Sequence, residues 1–153
     1  LEPFLRDFLR EWLTLTLHGR AEDIPGLFAR CRAAIAERKL PVAALAKTEM
    51  LTDSPATYQR KREAGGKSRQ PAYEVALASG REFQAGDAVA YYVTGAKKNV
   101  PVHAHAKLAA AFDPAHRDEN VPYYLAKLDA LAKKLDAHAP ESPEPEDDQP
   151  TLF

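Results

Sequence analysis

Arg60, Lys61, Arg62, Lys67 and Arg69 place five cations within ten residues, interrupted only by Glu63 among the acids and by the flexible pair Gly65-Gly66. Side chains of this type and density suit one kind of chemistry. They neutralise closely spaced phosphates, and each phosphate neutralised releases condensed counterions whatever the base sequence. Lys47, Lys97 and Lys98 extend the set more weakly, since a turn lysine is ordinarily soluble surface. Charge pattern alone also describes a solvated basic loop. At the far end, Gln149 is followed three and four places on by Leu152 and Phe153. Such an apolar pair suits a hydrophobic pocket, with the glutamine amide meeting polar groups at its rim.

Other chemistries lack their residues. Of His18, His103, His105, His116 and His138, only His103 and His105 lie close in sequence. In an extended segment they share a face, but no cysteine or carboxylate set at zinc-site spacing completes them, so no metal site is expected. Cys31 stands at helical spacing among apolar neighbours and reads as a buried thiol rather than a nucleophile. No convergent acid, base and nucleophile set is present, so no residue is assigned a catalytic role.

The elements that must position the cations follow from composition and pattern. A chain of 153 residues with 45% hydrophobic content buries one core. The net charge of −1 conceals a split: five of the 22 acids (Glu141, Glu144, Glu146, Asp147, Asp148) lie in the last 15 residues, which contain no Lys or Arg, leaving 21 basic against 17 acidic side chains before them. The reading is therefore one domain over 1–138 and an acidic, proline-rich tail over 139–153 that lacks the core residues to offset the entropy of ordering. No apolar run reaches about 18 residues and no leader with a cleavage site stands at the start. A cytoplasmic protein without a membrane partner is expected. Beginning at Leu1 with a helix under way by Pro3, the chain reads as a piece of a longer one.

Phe4, Leu5, Phe8, Leu9, Trp12 and Leu13 mark an amphipathic helix over roughly 3–17, with Gly19 as its stop. Asp23 is the expected N-cap of a second helix with stripe Ile24, Leu27, Phe28, Cys31 and Ile35, closed by Pro41. Ser54-Pro55 starts a short helix over about 55–63, and Pro71 opens another that Gly80 ends. Gly86-Asp87 turns the chain into a strand over 88–93, in which Tyr91 and Tyr92 point to opposite sides, one of them free to touch a ligand. Val100, Val102 and Ala104 alternate with Pro101 and His103, suggesting a second, edge strand after a Lys97-Lys98-Asn99 turn. A last helix runs from Val121 to about 137. The fold class is mainly α with a small β element, four or five helices around a short hairpin, without internal repeats.

Three stretches then carry a family resemblance: Lys47-Thr48-Glu49-Met50-Leu51-Thr52-Asp53-Ser54-Pro55-Ala56-Thr57-Tyr58; the set Pro71, Val75, Ala76, Gly86, Asp87, Val89 and Tyr91; and Val121-Pro122-Tyr123-Tyr124-Leu125. In order and spacing they resemble the C-terminal region of bacterial family B DNA polymerases, chiefly the thumb subdomain that follows the catalytic palm, over nearly all of the chain. Ala72 stands where the family commonly has histidine, and extra Gly, Lys and Arg separate Tyr58 from Pro71. The resemblance implies a part that grips primer-template duplex through phosphates, with Lys47, Arg60, Lys61, Arg62, Lys67, Arg69, Lys97 and Lys98 as contacts. The ending Gln149, Leu152, Phe153 is similar to the peptide by which bacterial polymerases dock on the sliding clamp. Nucleotidyl transfer needs carboxylates that hold two metal ions. The family's palm motifs, an aspartate leading Ser-Leu-Tyr-Pro and an Asp-Thr-Asp pair, are absent from these residues. The implied divalent metal, Mg, belongs to that palm, itself an expected partner, so this chain binds and positions without catalysing. The competing reading is a non-catalytic helical protein-interaction domain acting through its C-terminal peptide.

Overall fold

Proline at the first or second helical position opens five of the helices, where its missing N–H costs nothing and its fixed φ suits the helix. A computed structural model describes residues 1–66 and 68–138; Lys67 and the segment 139–153, with Gln149, Leu152 and Phe153, lie outside the described residues. The helices are α1 (Pro3–Leu17), α2 (Ile24–Ala36), the single turn α3 (Val42–Leu45), α4 (Pro55–Glu63), α5 (Pro71–Ala78) and α6 (Val121–His138). The strands β1 (Lys47–Met50), β2 (Ala88–Val93) and β3 (Ala106–Leu108) form an antiparallel sheet in the order β1-β2-β3. The architecture is mainly α with a small β element.

Two apolar clusters organise it. Phe4, Leu5, Phe8 and Trp12 of α1 pack with Leu27 and Ile35 of α2, Leu45 of α3, and Tyr124 and Leu128 of α6. Leu51, Tyr58 of α4, Tyr73, Val75 and Ala76 of α5, and Val89, Tyr91 and Leu108 of the sheet form the second. Val93 at the end of β2 belongs to the first cluster, so the sheet's middle strand ties the two together.

Where local rules decide, expectation and structure coincide. Ser54 Oγ accepts from the Thr57 N–H at 3.2 Å, and Gly80 adopts φ +75° after α5. Elsewhere tertiary contacts overrule. Asp23 does not cap α2: its carboxylate accepts instead from Arg20 Nε at 2.8 Å. The second helix ends at Ala36, well before Pro41, because Arg38 takes φ +55° and the Lys39 N–H turns back to the Ala34 carbonyl at 2.9 Å. Pro41 starts α3 rather than closing α2. On α1 the buried face is Phe4, Leu5, Phe8 and Trp12, while Leu13 stands 45% and Leu17 80% exposed.

The expected edge strand over Val100–Ala104 is absent. Val102–Ala104 is a 3-10 turn, with the Ala104 N–H bonded to the Pro101 carbonyl at 3.0 Å, and pairing with β2 resumes only at Ala106. His103 and His105 therefore lose the shared strand face. β1, which pairs Lys47 with Tyr91 and Met50 with Ala88, is a strand that its sequence Lys47-Thr48-Glu49-Met50 does not announce. The turn after β2 is shaped by Asn120, whose Nδ2 donates to the Thr94 and Lys97 carbonyls at 3.1 and 2.8 Å. A Cβ on Gly95, at φ +113°, would lie 3.1 Å from that nitrogen, so glycine is required there.

Candidate nucleic-acid interface

The cation-rich segment is held by a pair of tyrosines. Tyr58 of α4 and Tyr73 of α5 stack at 4.4 Å with 9° between their planes. The Tyr58 hydroxyl accepts from the Gln70 N–H at 2.9 Å and donates to Glu74 Oε2 at 2.6 Å. The Tyr73 oxygen accepts the N–H groups of Thr52 and Asp53 at 3.1 and 2.9 Å. The chain entering α4 and the chain entering α5 are thereby fixed to one another.

Onto this frame the structure sorts the cations. Arg62 Nη1 donates to both Glu74 oxygens at 2.7 and 2.6 Å. Arg69 Nη1 also reaches Glu74 Oε1, at 3.3 Å. Lys61 pairs with Asp53 at 3.1 Å, and Arg60, exposed, has only a 3.3 Å bond to Thr57 Oγ1. Glu74 and Asp53 thus pair with three of the four described cations, and with Glu63 in the same segment the net excess is one. Arg60, Lys61 and Arg62 also sit in the last turn of α4, where the helix dipole favours cations.

The outlying lysines divide. Lys47 is exposed at the start of β1 and lines a cleft of about 140 Å³ together with Pro71, two residues beyond Arg69. That places it beside the start of α5. Lys97 and Lys98 are exposed on the turn after β2, and no ion pair or hydrogen bond among the described residues ties their side chains to α4. The tyrosine expected to face a ligand does not exist: Tyr91 and Tyr92 are 4% and 1% exposed, donating to Glu49 at 2.9 Å and Asp118 at 2.7 Å. Tyr91 packs in the cluster with Tyr73, Val75 and Ala76 of α5, and Tyr92 meets Phe112 edge-on at 5.3 Å, so neither ring is open. Cys31 is half-buried, and burial pushes its thiol pKa up, away from thiolate reactivity. Among the described residues no three His, Cys, Asp or Glu side chains gather as metal ligands, and no helix is long and apolar enough to cross a membrane.

Sequence reasoning missed Glu74 as the hub of this surface. Its one advance signal is position, an acid in the first turn of a proline-opened helix, where the dipole favours negative charge. Burial alone would raise the Glu74 carboxyl, but the Tyr58 and Arg62 hydrogen bonds and the nearby Arg62 and Arg69 charges outweigh it and hold the pKa below the usual range. A depressed folded pKa contributes stability that is present above about pH 4.3 and lost as pH falls through the folded value. Glu74→Gln is therefore expected to flatten the acid side of the stability profile. Denaturation midpoints across that range check this, and an unchanged acid limb refutes it.

No protein-family model matches the chain, and no curated protein matches it.

Proposed function

We propose that this chain is the duplex-binding thumb part of a family B DNA-directed DNA polymerase. It grips primer-template phosphates through the α4 end and the following segment, and carries a C-terminal peptide for the sliding clamp. One observation supports the reading above others. The stretch ending in Tyr58, the stretch from Pro71 to Ala76 and the strand Ala88–Val93 meet in a single core, Leu51, Tyr58, Tyr73, Val75, Ala76, Val89 and Tyr91, with the basic end of α4 outside it. Segments far apart in sequence thus form one unit that presents the cations.

Contacts to phosphate suit such a part, because a grip that advances base pair by base pair must not depend on base edges. The palm of the same polymerase is the partner that would supply the carboxylates and the divalent metal, Mg; the chain's own role is positioning, in the cytoplasm at the nucleoid. The fragment is expected to bind primed duplex with a log-log salt slope near −0.9 per phosphate neutralised. Replacing Arg60, Lys61 and Arg69 together by glutamine should flatten that slope by about two to three. A flat salt dependence, or no binding at low salt, refutes the grip. In the same assay, deleting residues 149–153 should abolish capture by the clamp and spare duplex binding. If the deletion removes all binding, the chain is an interaction domain that acts through its terminal peptide.

A further inference from the structure

Arg62 and Arg69 reach the same carboxylate and are not equivalent. The Arg62 side chain is 19% exposed, touches both Glu74 oxygens, and has its Cζ 5.9 Å from the centre of the Tyr58 ring. The Arg69 side chain is 55% exposed and touches one oxygen at 3.3 Å, near the long limit for a hydrogen bond. An incoming phosphate that took Arg62 would strip a packed cation of two short bonds. One that took Arg69 would break a single long one and leave Glu74 still paired with Arg62 and Tyr58.

We infer that Glu74 is a positioning residue of this surface: it fixes Arg62 as an internal strut and holds Arg69 in an exchangeable contact, from which a phosphodiester of the DNA backbone withdraws it. The inference rests on the duplex-binding reading. Glu74 then competes with phosphate for one guanidinium and limits how tightly the surface holds DNA, which a part that must release and re-grip requires.

Glu74→Gln removes the charge while leaving an oxygen to accept from the Tyr58 hydroxyl. In a fluorescence titration with primed duplex it is expected to tighten binding by about two- to fivefold, the scale of one part-exposed ion pair. Arg69→Gln alone is expected to weaken binding and reduce the salt slope by about 0.9. The deciding measurement is the double variant. If Glu74 acts through Arg69, the gain from Glu74→Gln disappears in the Arg69→Gln background. An equal gain in both backgrounds would show only the general field of a removed negative charge, and would overturn the inference. Should the Glu74 variants fail to fold, side-chain N–H resonances of the unmodified protein decide: added duplex moves those of Arg69 and leaves those of Arg62 in place, and the opposite or an equal response overturns it. Absence of duplex binding by the unmodified chain is a different result. It would remove the duplex-binding reading itself, and the role of Glu74 with it.

Discussion

Tyr124→Ala is expected to lower the unfolding free energy by about 4–6 kcal/mol, the sum of a large aromatic cavity and a stranded polar group. Tyr124 is 1% exposed and packs edge-on against Phe4 at 5.7 Å and Tyr123 at 5.1 Å. Its hydroxyl accepts from the Val93 N–H at 2.8 Å and donates to the Leu45 carbonyl at 3.3 Å. One side chain of α6 thereby joins α1, α3 and the end of β2. Tyr124→Phe isolates the second contribution: it keeps the ring, strands the buried Val93 N–H, and should cost about 1–3 kcal/mol. Urea unfolding of both variants checks the pair. Losses that are equal, or both below about 1 kcal/mol, would mean that the hydroxyl contact does not hold α6 to α3 and the end of β2.

The second large effect belongs to Glu119, buried at 1% exposure between two arginines. Arg117 Nη2 and Arg38 Nη1 donate to its carboxylate at 2.6 and 2.9 Å, Arg38 also reaches the Glu119 carbonyl at 3.0 Å, and Arg117 bonds the Leu40 carbonyl. This network fastens the turn after α2 to the segment that enters α6. It also accounts for Arg38 at positive φ, a conformation that L side chains seldom adopt, since the turn is held by bonds at its far end. Removing the carboxylate leaves two guanidinium groups facing one another, and Glu119→Ala is expected to cost about 3–5 kcal/mol. Glu119→Gln retains an acceptor and should cost less. If the two variants unfold at the same denaturant concentration, charge is not what holds this turn.

Both residues lie far from the cations in sequence, yet the proposed grip depends on them, because α4 and α5 are mounted on a sheet whose middle strand ends at Val93. A variant at Tyr124 is therefore expected to weaken duplex binding through lost folding, with the salt slope of the folded fraction unchanged. Substitutions among Arg60, Lys61 and Arg69 are expected to change that slope directly. The distinction separates support from contact.

The boundaries of α1, α4, α5 and α6 and the strand over Ala88–Val93 are legible in the residues. Proline at a helix start, a serine before it and glycine after its end act within four residues, so the information lies in the local chain. The apolar stripes of α1, α2 and α6 likewise reveal which face seeks a core, though Leu13 and Leu17 show that a stripe does not state where the core ends. β1 is not legible, because Lys47, Thr48, Glu49 and Met50 become a strand only through partners about 40 residues away, Tyr91 to Ala88. The alternation over Val100–Ala104 misleads for the matching reason, since no partner strand lies opposite it and Pro101 has no N–H to offer a ladder.

The cations draw the same line. Their number and closeness are additive along the chain, so residue order alone makes this segment basic. Which of them remain available is a question of distance to carboxylates in space, and Glu74 and Asp53 enter that reckoning only after the Tyr58–Tyr73 stack has brought two chain segments together. Sequence determined that this segment is positive; the packing of α4 on α5 decided that Arg62 is packed against Glu74, that Arg69 keeps one long contact, and that Arg60 faces solvent. Local steric and capping forces act over one helical turn, whereas ion pairing and strand pairing depend on separations that only the folded core establishes.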